Sequence, residues 1–169
     1  LKGLFAMEIY NHGCEHDGLY GYAPQAYDEM LRAGQRLCCL ATDDNHNSVP
    51  LDDPLSDSIG GFTMLKMPVL DYANTIEAMQ TGNLYASTGP LINELYIEDG
   101  YICITTSPVA KIYVITDGRD TLRAVAPAGD TLTSARLALT GKEQWIRIDC
   151  RDSMGRHAYT RAYFRDELR

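Results

Sequence analysis

The pattern of apolar residues changes at Gly89-Pro90, and this change limits the possible folds more than any other feature of the sequence. Before it, short apolar runs alternate with segments of helical spacing. After it, about seven short apolar runs follow one another, separated by turn residues such as Asp99-Gly100 and without a helical pattern. We therefore expect two domains, an α/β domain over residues 1–90 and a small antiparallel β-sandwich over residues 91–169.

The first half of the chain begins with a strand, a helix and a second strand. Apolar runs over residues 4–10 and 37–42 predict two buried strands. Between them, Pro24 begins a segment of helical spacing that Gly34 ends. Such a unit, with short connections, is expected to be parallel and right-handed.

A third strand and a second helix follow a long acidic loop over residues 47–60. The strand is expected over residues 62–67, and the helix runs from Asp71, its N-cap, to Gln80, just before Gly82. Long loops at the carboxyl ends of parallel strands commonly carry functional residues. The loop is therefore the first place to search for a site.

The composition excludes several classes of function. The 169 residues include 15 Lys and Arg against 23 Asp and Glu, a net charge of −8, and the basic residues are not clustered, so we expect no nucleic-acid partner. No run of about 18 apolar residues is present, so we expect no membrane span and no membrane partner. The five cysteines are odd in number and lack Cys-x-x-Cys spacing, which favours free thiols and the cytoplasm.

One cysteine lies in a run of possible metal donors. Cys14 stands between His12 and His16, and sulfur and imidazole ligands suit a soft metal ion. The alternative is an exposed polar loop, because the run lacks the paired spacing of a structural zinc site. Both interpretations remain open from the sequence.

Asp44 and His46, which follow the second strand, are the strongest candidates for chemistry. Two residues apart on an extended segment, a carboxylate and an imidazole project from the same side and reach one cation or two neighbouring cations. The alternative is an Asp that caps a loop beside a solvated His, because metal sites require several convergent ligands. Three further acidic residues of the loop, Asp52, Asp53 and Asp57, either extend such a site or lie in solvent.

Five segments of the first half, taken in order, resemble the PHP family, the polymerase and histidinol phosphatase superfamily of metal-dependent phosphoesterases. They are Met7-Glu8-Ile9-Tyr10-Asn11, Tyr27-Asp28-Glu29-Met30-Leu31-Arg32-Ala33-Gly34, Asp44-Asn45-His46, Gly60-Gly61-Phe62-Thr63 and Tyr85-Ala86-Ser87-Thr88-Gly89-Pro90. The resemblance rests on the order and approximate spacing of all five. The second half is similar to a β-domain that one branch of the family appends after Gly-Pro, but only in its pattern of short apolar runs separated by turns.

The resemblance implies a fold of class α/β followed by all-β, in which the C-terminal strands and helices of a distorted (β/α)7 PHP barrel precede the β-sandwich. It implies that Asp44 and His46 are ligands in a site of two or three divalent metal ions, Zn, Mn or Fe. Such ions activate water and neutralise a phosphoryl group, so the substrate would be a small phosphorylated molecule. Glu8 and Asn11 are candidates for the rim of this site, although Glu8 is equally expected to pair with an Arg or Lys.

The sequence also departs from the family. Members begin with a His-x-His strand and carry further His and Glu ligands before the segment that resembles Met7 to Asn11, and this sequence has none of them there. Two ligands do not hold a catalytic ion tightly. We therefore expect an enzyme, a PHP-type hydrolase, as the full-length protein and an inactive fragment here. Open sheet edges predict a homo-oligomer or a missing N-terminal segment that completes the barrel.

A second interpretation is a binding module instead of an enzyme. In it, the β-sandwich over residues 91–169 contacts a partner or another subunit, and residues 1–90 serve as a scaffold. The two interpretations differ over metal ions, since only the hydrolase requires them.

Overall fold

A computed structural model describes residues 3–168, which divide into two units between Thr88 and Gly89. The elements of the first unit are β1 (Ala6–Asn11), α1 (His12–His16), α2 (Pro24–Arg32), β2 (Cys38–Thr42), β3 (Phe62–Leu65), α3 (Tyr72–Thr81) and β4 (Leu84–Ser87). The elements of the second unit are β5 (Ile92–Glu98), β6 (Tyr101–Val109), β7 (Lys111–Thr116), β8 (Leu122–Val125), β9 (Leu132–Ala138), β10 (Trp145–Arg151), β11 (His157–Thr160) and β12 (Tyr163–Phe164).

The strands β1 and β2 pair in parallel, and α2 connects them, as the sequence predicts. Pro24 occupies the first turn of α2, where its missing N–H costs no hydrogen bond. The buried side chain of Tyr27 anchors this helix, because its hydroxyl donates a hydrogen bond of 2.6 Å to the carbonyl oxygen of Leu37. The register sets Asn11 opposite Thr42, so both strands end at the same edge of the sheet.

The predicted boundary residues of α3 are confirmed. The carboxylate of Asp71 caps the helix by accepting a hydrogen bond of 2.7 Å from the backbone N–H of Asn74. Gly82 ends it in the left-handed conformation, with φ of 72°, which a residue without a Cβ adopts at low cost. The helix then leads directly into β4, a strand of four residues that the sequence did not predict.

The predicted fold class, part of an α/β barrel followed by an all-β domain, is wrong. The structure is mostly β, with 40% strand, 14% helix and several antiparallel sheets, and residues 3–168 form no α/β barrel. The physical reason is the direction of β3 and β4. These strands pair antiparallel to each other, while β1 and β2 form a sheet of two strands, so the parallel array that a barrel requires does not continue. Within the same residues, no helix has both the length and the apolar character needed to cross a membrane.

The second unit consists of antiparallel strands. One sheet pairs β6 with β5 and β9, and another set pairs β7 with β8 and β10, while β10 also pairs with β11 and β12. The turn between β5 and β6 has positive φ at both central residues, 49° at Asp99 and 79° at Gly100. This is the backbone of the two-residue hairpin turn for which Asp-Gly is a strong signal.

The strand β10 carries a buried carboxylate. Asp149 exposes 2% of its side chain, and one oxygen accepts hydrogen bonds of 2.9 and 2.8 Å from Nε and Nη2 of Arg151. The other oxygen lies 2.8 Å from Nδ1 of His157, on the neighbouring strand β11. Two partners on adjacent strands thus compensate the desolvation of one negative charge.

We expect Asp149→Ala to lower the free energy of unfolding by about 3 kcal/mol, because Arg151 and His157 lose the carboxylate that they share. Denaturant unfolding followed by circular dichroism measures this change. The exposed Asp130→Ala is the matched control and should leave the midpoint within experimental error. An equal effect of both substitutions would contradict a special role for Asp149.

Candidate functional site

A group of polar side chains lies where β1 and β2 end. Asn11 is the last residue of β1, and Thr42, its partner in the sheet, is the last residue of β2. The loop that follows β2 begins with Asp43 and Asp44. The carboxyl ends of parallel strands are a common place for functional groups, because loops from neighbouring strands converge there.

The side chains of Glu8, Asn11 and Asp44 form one hydrogen-bonded cluster. The amide nitrogen Nδ2 of Asn11 donates to Oε2 of Glu8 at 3.2 Å and to Oδ2 of Asp44 at 3.1 Å. The hydroxyl of Thr42 donates to Oε1 of Glu8. The carboxylates of Glu8 and Asp44 are exposed to solvent. The structure therefore brings Glu8, Asn11 and Asp44 together, and Glu8 pairs with neutral donors.

Asp43 shapes the loop in which Asp44 lies. Its carboxylate accepts three backbone hydrogen bonds, of 2.6 Å from Ile59, 2.8 Å from Gly60 and 2.7 Å from Gly61. The far end of the long loop is thereby tied to its beginning. Three N–H groups on one carboxylate form the kind of concave anion site in which backbone dipoles stabilise negative charge.

The backbone is strained next to Asp43 and at Ile59, one of its hydrogen-bond donors. Asp44 has φ of 53° and Ile59 has φ of 64°, in the left-handed region. For a β-branched residue such as Ile59 this conformation is a steric outlier. Such residues persist only where the surroundings hold them, and here the hydrogen bonds of Asp43 do so. The carboxylate of Asp43 thus contacts the backbone N–H of the strained residue Ile59.

His46 makes its contacts with Asp57 and not with the Glu8 cluster. Its Nδ1 lies 3.4 Å from Oδ2 of Asp57, and its backbone N–H donates to the same oxygen at 2.8 Å. The backbone N–H of His46 holds the pKa of Asp57 below its usual value. Asn45 adds a hydrogen bond of 3.0 Å from Nδ2 to Oδ1 of Asp57. The imidazole remains 71% exposed, which leaves it accessible from solvent.

Tyr10 precedes Asn11 in β1, and its hydroxyl contacts His12. Burial, and then the nearby Tyr22, Glu15 and Asp43, raise the pKa of Tyr10 to about 12. Its ring packs against that of Tyr22 with centroids 4.6 Å apart. The hydroxyl is therefore neutral at physiological pH and acts as a hydrogen-bonding group.

A catalytic divalent ion generally requires three or more protein ligands. Carboxylate and imidazole are suitable ligands, and Asp44 and His46 are two residues apart on one loop. However, no group of three or more His, Cys, Asp or Glu side chains in residues 3–168 is arranged to hold a metal ion. The described residues thus bring together no set of three protein ligands for such an ion.

Comparisons with protein-family models, with curated protein sequences and with solved structures found no match to this chain.

Three residues of the region were missed or undervalued by sequence reasoning. Thr42 contacts Glu8, Asp43 ties the loop, and Asp57, considered from sequence only as an acidic loop residue, holds His46. An Asp directly after a strand, followed later by a Gly-Gly pair, is a signal for a carboxylate that accepts loop N–H groups. The partner of His46 gives no comparable signal, because it lies 11 residues away in an irregular loop.

We expect Asp43→Ala to lower the free energy of unfolding by about 2 kcal/mol, because three backbone N–H groups lose their acceptor. Hydrogen exchange should accelerate at Ile59, Gly60 and Gly61 in particular. Asp52→Ala, an exposed acidic substitution in the same loop, is the control. Unchanged exchange at the three amides would show that the carboxylate does not hold the loop.

The raised pKa of Tyr10 predicts a loss of stability in alkaline solution. The folded state keeps the proton that the unfolded state releases above pH 10, so the contribution is complete below pH 10 and disappears as pH rises through about 12. Tyr10→Phe should therefore show a shallower decline in unfolding free energy across this window. Tyr20→Phe, at a side chain that is 99% exposed, should follow the parent protein. Identical profiles for all three proteins would refute the assignment.

Proposed function

We propose that this chain carries part of the site of a metal-dependent hydrolase that cleaves phosphate esters. Asp44 and His46 are its candidate metal ligands, and Glu8 and Asn11 support them at the rim. The observation that carries the proposal is the shared amide of Asn11, which holds the carboxylates of Glu8 and Asp44 together at 3.2 and 3.1 Å.

The arrangement of the cluster supports a role in binding cations. Two carboxylates joined by one amide concentrate negative charge at an exposed edge, where a divalent ion can approach from solvent. Asn11 donates to both carboxylates and so orients them without neutralising their charge. This is the role that partners of metal ligands commonly have.

A divalent ion, Zn, Mn or Fe, would supply a polarised phosphoryl group and an activated water. The residues described here do not complete its coordination, so the chain by itself is expected to be inactive. Its own contribution is to hold the carboxylate of Asp44 and the imidazole of His46 on one loop.

The sequence also predicts the substrate, the compartment and the partners. The substrate is a small phosphorylated molecule, the compartment is the cytoplasm, and neither nucleic acid nor a membrane is a partner. A homo-oligomer remains a prediction. The alternative function, a binding module whose second unit contacts a partner or subunit, also remains a prediction, and it requires no metal ion.

The test uses the full product of the gene that encodes this chain. Hydrolysis of an aryl phosphate should depend on added Mn²⁺ or Zn²⁺, and Asp44→Ala and His46→Ala should each reduce turnover by about 100-fold or more, because each removes a proposed ligand. Asn11→Ala should reduce it about 10-fold, because the carboxylates lose their shared donor. Residues 1–169 alone should show no turnover.

Asp52→Ala is the control and should retain the parent rate. Circular dichroism establishes that each variant is folded. A full-length protein without metal-dependent turnover would overturn the proposal, and so would Asp44 and His46 variants that retain the parent rate.

A further inference from the structure

A single helical turn, α1, begins where β1 ends and carries two histidines. Asn11 caps this turn, because its Oδ1 accepts a hydrogen bond of 2.8 Å from the backbone N–H of Cys14. The backbone N–H of Gly13 donates to the carbonyl oxygen of Asp43 at 2.8 Å and so joins the turn to the loop after β2. Both contacts hold α1 in a defined place.

His12 and His16 stand four residues apart and lie on the same side of the turn. Their ring centroids are 6.1 Å apart and their planes are inclined by 48°. A ring nitrogen binds zinc at about 2.0–2.1 Å, so each centroid lies roughly 3.2 Å from the ion, and two rings on one ion are no more than about 6.4 Å apart. The observed separation is within this limit.

The ring of His12 is held in a suitable orientation. Its Nδ1 lies 3.1 Å from the hydroxyl of Tyr10. Metal-binding histidines commonly form a hydrogen bond through the nitrogen that does not bind the metal, and this bond fixes the ring. With Nδ1 on Tyr10, Nε2 is the nitrogen left for an ion. Gly60 gives the ring its space, because a Cβ at Gly60 would lie 2.1 Å from the same Nδ1.

His16 completes the pair. Its half-buried imidazole contacts the ring of His12, and within residues 3–168 it forms no hydrogen bond. Its ring is therefore able to turn toward a shared ion without breaking a hydrogen bond. Cys14, two residues after His12, lies about 200° around the turn and is not on this side.

We propose that His12 and His16 form a binding site for one divalent ion of the late first-row transition metals, with ligands other than Asp44 and His46. Imidazole ligands select Ni²⁺, Cu²⁺ and Zn²⁺ over Mg²⁺ and Ca²⁺, which require oxygen donors. Two protein ligands leave the other positions to water or to an added ligand. The ion is thus exchangeable and differs from a structural zinc ion with four protein ligands.

The experiment is a calorimetric titration of the tag-free chain with NiCl₂. One ion should bind per chain, and His16→Gln and His12→Gln should each weaken binding at least about 10-fold. His16→Gln removes no hydrogen bond, so the variant is expected to fold. Gly60→Ala keeps both histidines but displaces the ring of His12, and it should also weaken binding. MgCl₂ should not compete.

Three control variants separate the alternatives. Cys14→Ser, His46→Gln and Asp44→Ala should bind Ni²⁺ as the parent chain does. Loss of binding in Cys14→Ser, or in His46→Gln and Asp44→Ala with His16→Gln unaffected, would overturn the proposal and place the ion elsewhere. Absence of Ni²⁺ binding to the parent chain would also overturn it. A chain that binds no Ni²⁺ leaves the proposal of phosphate-ester hydrolysis untouched, because the test of hydrolysis measures turnover in Asp44 and His46 variants.

Discussion

The parallel pairing of β1 with β2 is the constraint on which the rest of the first unit depends. Its register sets Asn11 beside Thr42, so the segments that follow the two strands leave the sheet at one edge. Asn11 then has three roles. It caps α1 through its Oδ1, and its Nδ2 donates to Glu8 and to Asp44. The side chain of Asn11, at the end of β1, therefore positions both the cluster of Glu8 and Asp44 and the helical turn α1.

Hydrogen bonds from backbone N–H groups to a carboxylate hold the loop after β2 in place, as hydrogen bonds between strands hold the sheets. Asp43 accepts from three consecutive N–H groups and so closes a long irregular segment that has no regular structure of its own. In the second unit, the buried carboxylate of Asp149 instead accepts from two side chains, on β10 and on β11. In both units an acidic side chain thus accepts hydrogen bonds that hold the fold, from backbone N–H groups at Asp43 and from Arg151 and His157 at Asp149.

Local features of the fold were predictable, and long-range features were not. The cap of α3 at Asp71, its end at Gly82 and the Asp99-Gly100 turn all follow from the conformations that these residues favour. The barrel prediction failed because β4 was not predicted, and because the sequence of a strand of four residues does not specify the direction in which it pairs. The candidate site was partly predictable: the sequence named Glu8, Asn11 and Asp44 as candidates, but it did not predict their shared hydrogen bonds or the contact of His46 with Asp57.

The sequence by itself determined the cap and the end of α3, the start of α2 at Pro24 and the Asp99-Gly100 turn, because caps and turn residues act between residues close along the chain. It also placed His12 and His16 at a spacing that becomes one side of a helical turn. Only the tertiary structure decided that β3 and β4 run antiparallel, that Asp43 reaches residues 16 to 18 positions away, and that Tyr10 and Gly60 orient His12. These contacts depend on the packing of segments far apart in sequence, and no local preference specifies them.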